Sequence, residues 1–368
     1  VKVNDPEYSA TDEIARTLVE YSTQVSSGDR VLVIMRETET LPIVRAVAAD
    51  AYRRGAVVQT LFYALSMQRD LLALGTDEQI GWTPEVWRYA MEWADVCIDV
   101  RGARNPHEFD GIPADRIARM RRAEGEISAL RTAGTRWTIL RVPNESFAQQ
   151  AGMNLDAAES MFRHAVLQDW DAAGNEYRNM QRRLQGTEEV RIIGADTDLR
   201  FSTRGRSYVV DDGRINMPGG EVFTAPVEDS VTGTIAFEHP GVFAGVFIEG
   251  IRLVFGDGRV VDASARSNEE FLFHLLDMDE GARGVGEFGI GTNRYVDRFT
   301  NDIFYDEKIL GTIHIALGRS YAECGGVNRS ALHWDIVKDL RTEGSVLFDG
   351  VSLFEEGAWN LGKSAPRR

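Results

Sequence analysis

The chain has 368 residues, enough for two domains, and its 43% hydrophobic and 27% charged residues are the balance of a folded protein in contact with water. A formal net charge of −16 repels a phosphate backbone and argues against nucleic acid as a partner. Two cysteines, Cys97 and Cys324, make no disulfide framework; no apolar run reaches the length of a membrane span, and the opening ValLysValAsnAsp has no apolar signal core, so the cytoplasm is the expected compartment.

Ile14, Leu18, Tyr21 and Val25 recur at helical spacing, which predicts a helix over 13–25. Gly28 and Asp29 lead into a strand at 30–35. An alanine-rich helix over 41–54 stops before Gly55, and a strand follows at 57–63. Strand, helix, glycine, strand is the grammar of a parallel sheet. A helix at 84–92, a strand at 95–100 with Cys97 as a small core residue, a helix at 113–130 and a strand at 135–142 continue it. Arg116, Arg119, Arg121 and Arg122 cluster on the last of these helices and read as a solvated face. Residues 147–185 read as helical throughout and connect the halves. From Thr187 onward short strands alternate with glycine turns, at 190–194, at 198–202 and across the GlyAspGly of 256–258, with one helix at 268–276. The expected fold is an α/β N-terminal domain with a parallel sheet over 1–185, and a mostly β (α+β) catalytic domain over 186–368.

Every strong chemical signal lies in the second half. His333 and Asp335 are two apart, so a strand presents an imidazole and a carboxylate side by side, a pair suited to a divalent metal. In 312–318, Ile313, Ile315 and Leu317 share one face, and Thr312, His314 and Ala316 the other. Glu287 lies in GlyValGlyGluPheGlyIleGly, 284–291. This stretch matches Gly-x-Gly-x-x-Gly, but no apolar-periodic helix follows it, so a dinucleotide site is rejected. Its glycines instead predict a tight turn in which backbone approaches a site closely. Glu221, in AsnMetProGlyGlyGluValPhe, is expected on a rigid loop, where burial demands a partner such as a cation. Two histidines and three carboxylates exceed one tetrahedral site and suit two adjacent metals that share a carboxylate. His107, His164, His239 and His274 read as structural or surface residues.

These motifs, in this order between Asn216 and Leu340, resemble the thermophilic metallo-aminopeptidase family. The resemblance implies a two-metal aminopeptidase and a homodimer acting on a peptide or small amide. It matches Glu221, Glu287, His314, His333 and Asp335 to metal ligands and Tyr321 to an active-site tyrosine. Glu287 and Tyr321 are the expected catalytic residues, and the ions are zinc, cobalt, manganese or magnesium. The segment between Tyr321 and His333 is short beside the family's, which bears on the substrate pocket. The 2,5-dihydroxypyridine dioxygenases are similar in fold and keep a His-x-Asp pair around one iron(II). A ring-cleaving dioxygenase using His314, His333 and Asp335 is therefore the alternative reading, and a hydrolase of a small non-peptide amide another. The presence of both Glu221 and Glu287 favours hydrolysis.

Overall fold

The computed structural model describes residues 9–355 and 357–360. The chain divides into two compact units. One takes the chain up to Asp169 together with Gly213–Gly219; the other takes Trp170–Asp212 and the chain from Gly220 on. The sequence reading put the division at 185/186. The helix Trp170–Leu184 instead groups with the second unit, where the Tyr177 hydroxyl donates to the Thr292 carbonyl at 3.3 Å and the Gln181 amide to the Tyr208 carbonyl at 2.6 Å.

In the first unit five parallel strands run in the order Val57–Tyr63, Arg30–Arg36, Val96–Arg101, Arg136–Arg141, Asn216–Met217. Val31–Ile34 and Val96–Val100 are buried without a break, as expected of central strands covered on both faces. The last strand comes from the segment that the sequence reading had as part of the loop before Glu221. Residues 147–185 are not one helix but three, Glu145–Gln150, Leu155–Val166 and Trp170–Leu184. Gly152 takes a φ of +63°, and the Asn154 side chain caps the next helix by accepting from Ala157 N. The basic cluster is engaged within its own unit: Arg116 donates to the Leu72 carbonyl at 2.7 Å, Arg119 pairs with Asp77 at 3.4 Å and Arg121 with Glu124 at 3.5 Å. Among the described residues, no helix is long and apolar enough to cross a membrane.

Asp99 is fully buried in the central strand, with Arg36 at 2.7 Å, Arg101 at 2.9 Å and Arg131 at 3.7 Å. Burial alone would raise its carboxyl pKa; Arg101, Arg36 and Arg131 overcome this and hold it down at about 2.

The second unit contains two antiparallel sheets of note. One has eight strands. The other has five, in the order His333–Asp339, Thr312–Gly318, Val285–Gly291, Glu221–Thr224, Val209–Asp211. Phe288 packs edge-on against Phe201 of the eight-stranded sheet, ring centroids 5.1 Å apart. The expected turn at Glu287 is thus a fully buried strand, and Glu221 opens a strand rather than sitting on a loop. The Gly-x-Gly-x-x-Gly match lies along this antiparallel strand, with no helix to receive a phosphate.

A β-bulge makes this strand what it is. Val285 pairs with Leu317, but two residues later Glu287 pairs with Ala316. In an unbroken ladder Glu287 would oppose Ile315 and point into the apolar layer with Val285's face displaced by one. The extra residue, Gly286, turns Glu287 to the face of His314 while Phe288 and Ile290 stay opposite Ile315 and Ile313. A Cβ on Gly286 would lie 2.3 Å from the Arg319 carbonyl oxygen and 2.5 Å from that of Gly318. Gly289 pairs with His314, and a Cβ there would stand 2.0 Å from the imidazole Cε1 and Nε2.

Two consequences are measurable. Asp99→Asn leaves three guanidiniums around a neutral amide and is expected to cost about 3 kcal/mol of unfolding free energy in urea titrations; a loss below about 0.5 kcal/mol contradicts that account. Gly289→Ala displaces a buried imidazole that has nowhere to go. We expect about 1–3 kcal/mol of destabilisation and loss of divalent-cation binding in calorimetry; unchanged cation binding contradicts it.

Candidate metal centre

Antiparallel pairing decides which side chains meet, because directly opposed residues share a face. Ala316 lies between Glu287 on one side and Asp335 on the other, and its methyl group leaves the space between the two carboxylates open. Gly318 opposes His333, and Gly291 opposes Glu221. Glu221, Glu287, His314, His333 and Asp335 therefore all rise from one face of the five-stranded sheet. Glu221, Glu287 and His314 are buried, and the His333 and Asp335 side chains nearly so.

The distances are specific. His314 Nε2 lies 3.4 Å from Glu287 Oε1 and 3.6 Å from Glu221 Oε2. His333 Nε2 lies 3.5 Å from Glu287 Oε2 and 3.5 Å from Asp335 Oδ2. Good N–H···O bonds run about 2.7–3.2 Å. By contrast, donor atoms each about 2.1 Å from one tetrahedral ion stand about 3.4 Å from one another. The spacing suits ligands of a common cation better than partners of each other. Glu221 Oε2 and Asp335 Oδ1 are buried and accept no hydrogen bond, which leaves them lone pairs to offer. His333 Nδ1 faces the Arg319 carbonyl at 2.8 Å, so that ring is anchored with Nε2 turned to the carboxylates.

Two residues absent from the sequence reading complete the cluster. Glu307 and Lys308 follow the short helix Ile303–Asp306. Lys308 is fully buried; its ammonium lies 2.6 Å from Glu221 Oε1, 2.7 Å from Glu307 Oε1 and 3.6 Å from Asp211 Oδ2. AspGluLys at 306–308 looks like an exposed polar turn, and only the fold brings it under the sheet. Among the described residues two overlapping groups have the geometry to hold an ion: Glu221, Glu307 and His314, and Glu287, His314 and Asp335. Within each, one ligand atom per residue lies within 4.8 Å of the others. Carboxylate and imidazole donors in this mixture accept zinc, cobalt, manganese, iron or magnesium. The residues fit a divalent cation.

The electrostatics of the ion-free protein agree with that fit. Burial raises the carboxyl pKa of Glu221, and Lys308 only partly offsets it. Burial would depress His314, but its hydrogen bond to Glu287 and the charges of Glu221, Glu287 and Asp335 lift it to about 9. For His333, Asp335 and Glu287 likewise outweigh burial and raise the pKa. Tyr321 stands at the rim with its ring edge-on to His333, centroids 5.2 Å apart, and to Phe223 at 5.7 Å. Burial and then the carboxylates of Glu287 and Asp335 push its hydroxyl well above the ordinary range. The tyrosine stays protonated and available as a donor.

Cys324, Phe223 and Ala225 form a small apolar cluster on the Tyr321 side. Of the other histidines, His239 stacks on Phe299 and lies 3.8 Å from Asp339, and His274 stacks near Phe271. Neither falls in a group with metal-binding geometry.

Comparison with known proteins extends this picture to nearly the whole chain. It is 26% identical over 348 residues to aminopeptidase T of Thermus thermophilus, covering 85% of each chain. It is 27% identical over 405 residues to aminopeptidase 2 of Geobacillus stearothermophilus, covering 95% of this chain and 97% of that one. The solved structure of wild-type AmpT from Thermus thermophilus superposes with a TM-score of 0.81 at 25% identity, over 95% of this chain and 98% of that one. A 2,5-dihydroxypyridine dioxygenase from Pseudomonas putida superposes at 0.61 with 18% identity, over 96% and 98%, a likeness of fold alone. The sequence profile of the thermophilic metalloprotease (M29) family matches residues 9–359. The chain belongs to that family and is a peptidase, a hydrolase.

Proposed function

We propose that the protein is a metal-dependent aminopeptidase that hydrolyses the N-terminal amide bond of peptides at a two-metal centre held by Glu221, Glu287, His314, His333 and Asp335, with Glu307 as a further donor. The observation that carries this reading is the position of Glu287. One of its oxygens faces His314 and the other faces His333, which sets this carboxylate between the two imidazoles. When bound, divalent ions supply Lewis acidity and a water that ionises near neutral pH.

The chain's own residues do the rest. Glu287, rigid in a fully buried strand, keeps its two oxygens in fixed relation to His314 and His333. The protonated Tyr321 hydroxyl, at the open rim, donates to the oxygen of the scissile carbonyl as negative charge builds on it. Glu323 lies exposed on the turn beside Tyr321, and its carboxyl pKa is raised by partial burial and by Glu287. It carries the acidic field outward, where it favours a free peptide ammonium over a blocked N-terminus. Two glutamates beside the His-x-Asp pair favour this hydrolysis over the iron dioxygenase alternative.

Glu287→Gln should reduce hydrolysis of an unblocked dipeptide by about 10³-fold or more with an unchanged circular dichroism spectrum; near-wild-type turnover rejects the assignment. N-acetylation of the same substrate should abolish turnover, and no oxygen uptake should accompany 2,5-dihydroxypyridine with iron(II). Oxygen uptake there, with inert peptides, selects the dioxygenase instead. A further prediction concerns pH. In the ion-free protein the His314 pKa is about 9 and that of Glu221 is raised, so both release protons before they ligate. Cation affinity should therefore strengthen as pH rises toward about 9, with protons released on binding in buffers of differing ionisation enthalpy. A pH-independent affinity contradicts this.

A further inference from the structure

The two donor groups share His314 but differ in one respect that ligand counting misses. The Glu221–Glu307–His314 group already has a cation beside it. Lys308 carries three N–H donors, and three carboxylates, Glu221, Glu307 and Asp211, stand at 2.6, 2.7 and 3.6 Å from its nitrogen. It bonds Oε1 of both Glu221 and Glu307, so one oxygen of each is committed to the ammonium, while Glu221 Oε2 has no hydrogen-bond partner. Among the described residues no lysine or arginine is paired with Glu287 or Asp335; their ion-pair contacts are to His314 and His333.

We infer that Lys308 is a positioning residue that makes the two metal positions unequal: the Glu287–Asp335 side is the tight one, and the Glu221–Glu307 side is weak and exchangeable. This rests on the two-metal reading above. The physical reason is charge. A fixed ammonium repels an ion placed among the carboxylates it touches, in an interior where screening by water is weak. It also shares the electron density of the two oxygens it binds. In return it aims the second oxygen of Glu221 toward His314 and keeps these acids ordered when no ion is present, which a water-filled acidic pocket would not do. Lys308 is fully buried, with Glu221 and Glu307 both within hydrogen-bond distance of its nitrogen. One ion then stays with the protein, and the other comes and goes with the free concentration.

Calorimetric titration of the chelator-stripped full-length chain with cobalt(II), followed in parallel by its visible absorption, tests this without any turnover. Two binding events separated by at least about tenfold in affinity are expected. Asp335→Asn should weaken the tight event and Glu307→Gln the weak one. Lys308→Met should tighten the weak event by about tenfold and close the gap, whereas Lys308→Arg, which keeps the charge, should preserve it. Two events of equal affinity in the unaltered chain, or a gap that survives Lys308→Met, overturn the inference while leaving the two-metal reading intact. A chain that binds no cobalt overturns both. Should Lys308→Met fail to fold, Lys308→Gln, which removes the charge and keeps N–H donors, is expected to narrow the gap in the same way, and a gap unchanged in it overturns the inference.

Discussion

The structure of the second unit turns on one electrostatic constraint: acidic side chains gathered on the buried face of a sheet. Glu221 and Glu287 are buried there, Asp335 and Glu307 lie beside them, and Asp211 is close to the lysine. Such an assembly is unstable in a protein interior unless cations balance it. The chain supplies one cation outright in Lys308 and raises the proton affinity of His314 and His333. A divalent ion held there would complete the balance, and it would couple metal binding to folding, because the geometry that gathers the acids is also the geometry that an ion relieves.

The first unit solves the same problem differently. Asp99 is as deeply buried as any acid of the second unit's cluster, yet three arginines surround it and its proton affinity falls instead of rising. A buried acid with its own permanent cations is a finished structural element. A buried acid with unbonded oxygens and histidines at 3.4–3.6 Å has the geometry to receive an ion. The contrast within one chain separates scaffold from site more reliably than burial does.

Much of this was legible in the sequence. The parallel strands of the first unit announce themselves as continuous apolar runs, and Val57–Tyr63 agrees with the sequence reading end to end. His314, His333 and Asp335 were placed on the correct faces because period-two alternation holds in their strands. What failed was the segment carrying Glu287. Val285, Phe288 and Ile290 are the core-facing residues, and a spacing of three followed by two fits neither helix nor regular strand. With glycine at every gap, it looked like a turn. The residue that breaks the alternation is Gly286, the bulge. Glu221 was misjudged for a related reason: proline and glycine ahead of it suggested a loop, whereas they mark where the chain crosses from one unit into the other. Glu307 and Lys308 had no local signal at all, since a charged triplet after a short helix is ordinary surface composition until a sheet covers it.

The bulge at Gly286 has a last implication, for how such a site survives evolutionary change. The strand's apolar ladder on its C-terminal side tolerates exchange of one aliphatic residue for another, because packing there depends on volume. The acidic face depends on counting. Loss of Gly286 would close the ladder with Glu287 still opposite Ala316, whereas loss of the residue between Glu287 and Gly289 would set the glutamate opposite Ile315 and the apolar layer. The bulge thus absorbs a change of length on one side of the glutamate only. Among descendants of this sequence, the spacing from Glu287 to Gly289 is therefore a better indicator of retained activity than the length of the stretch before it.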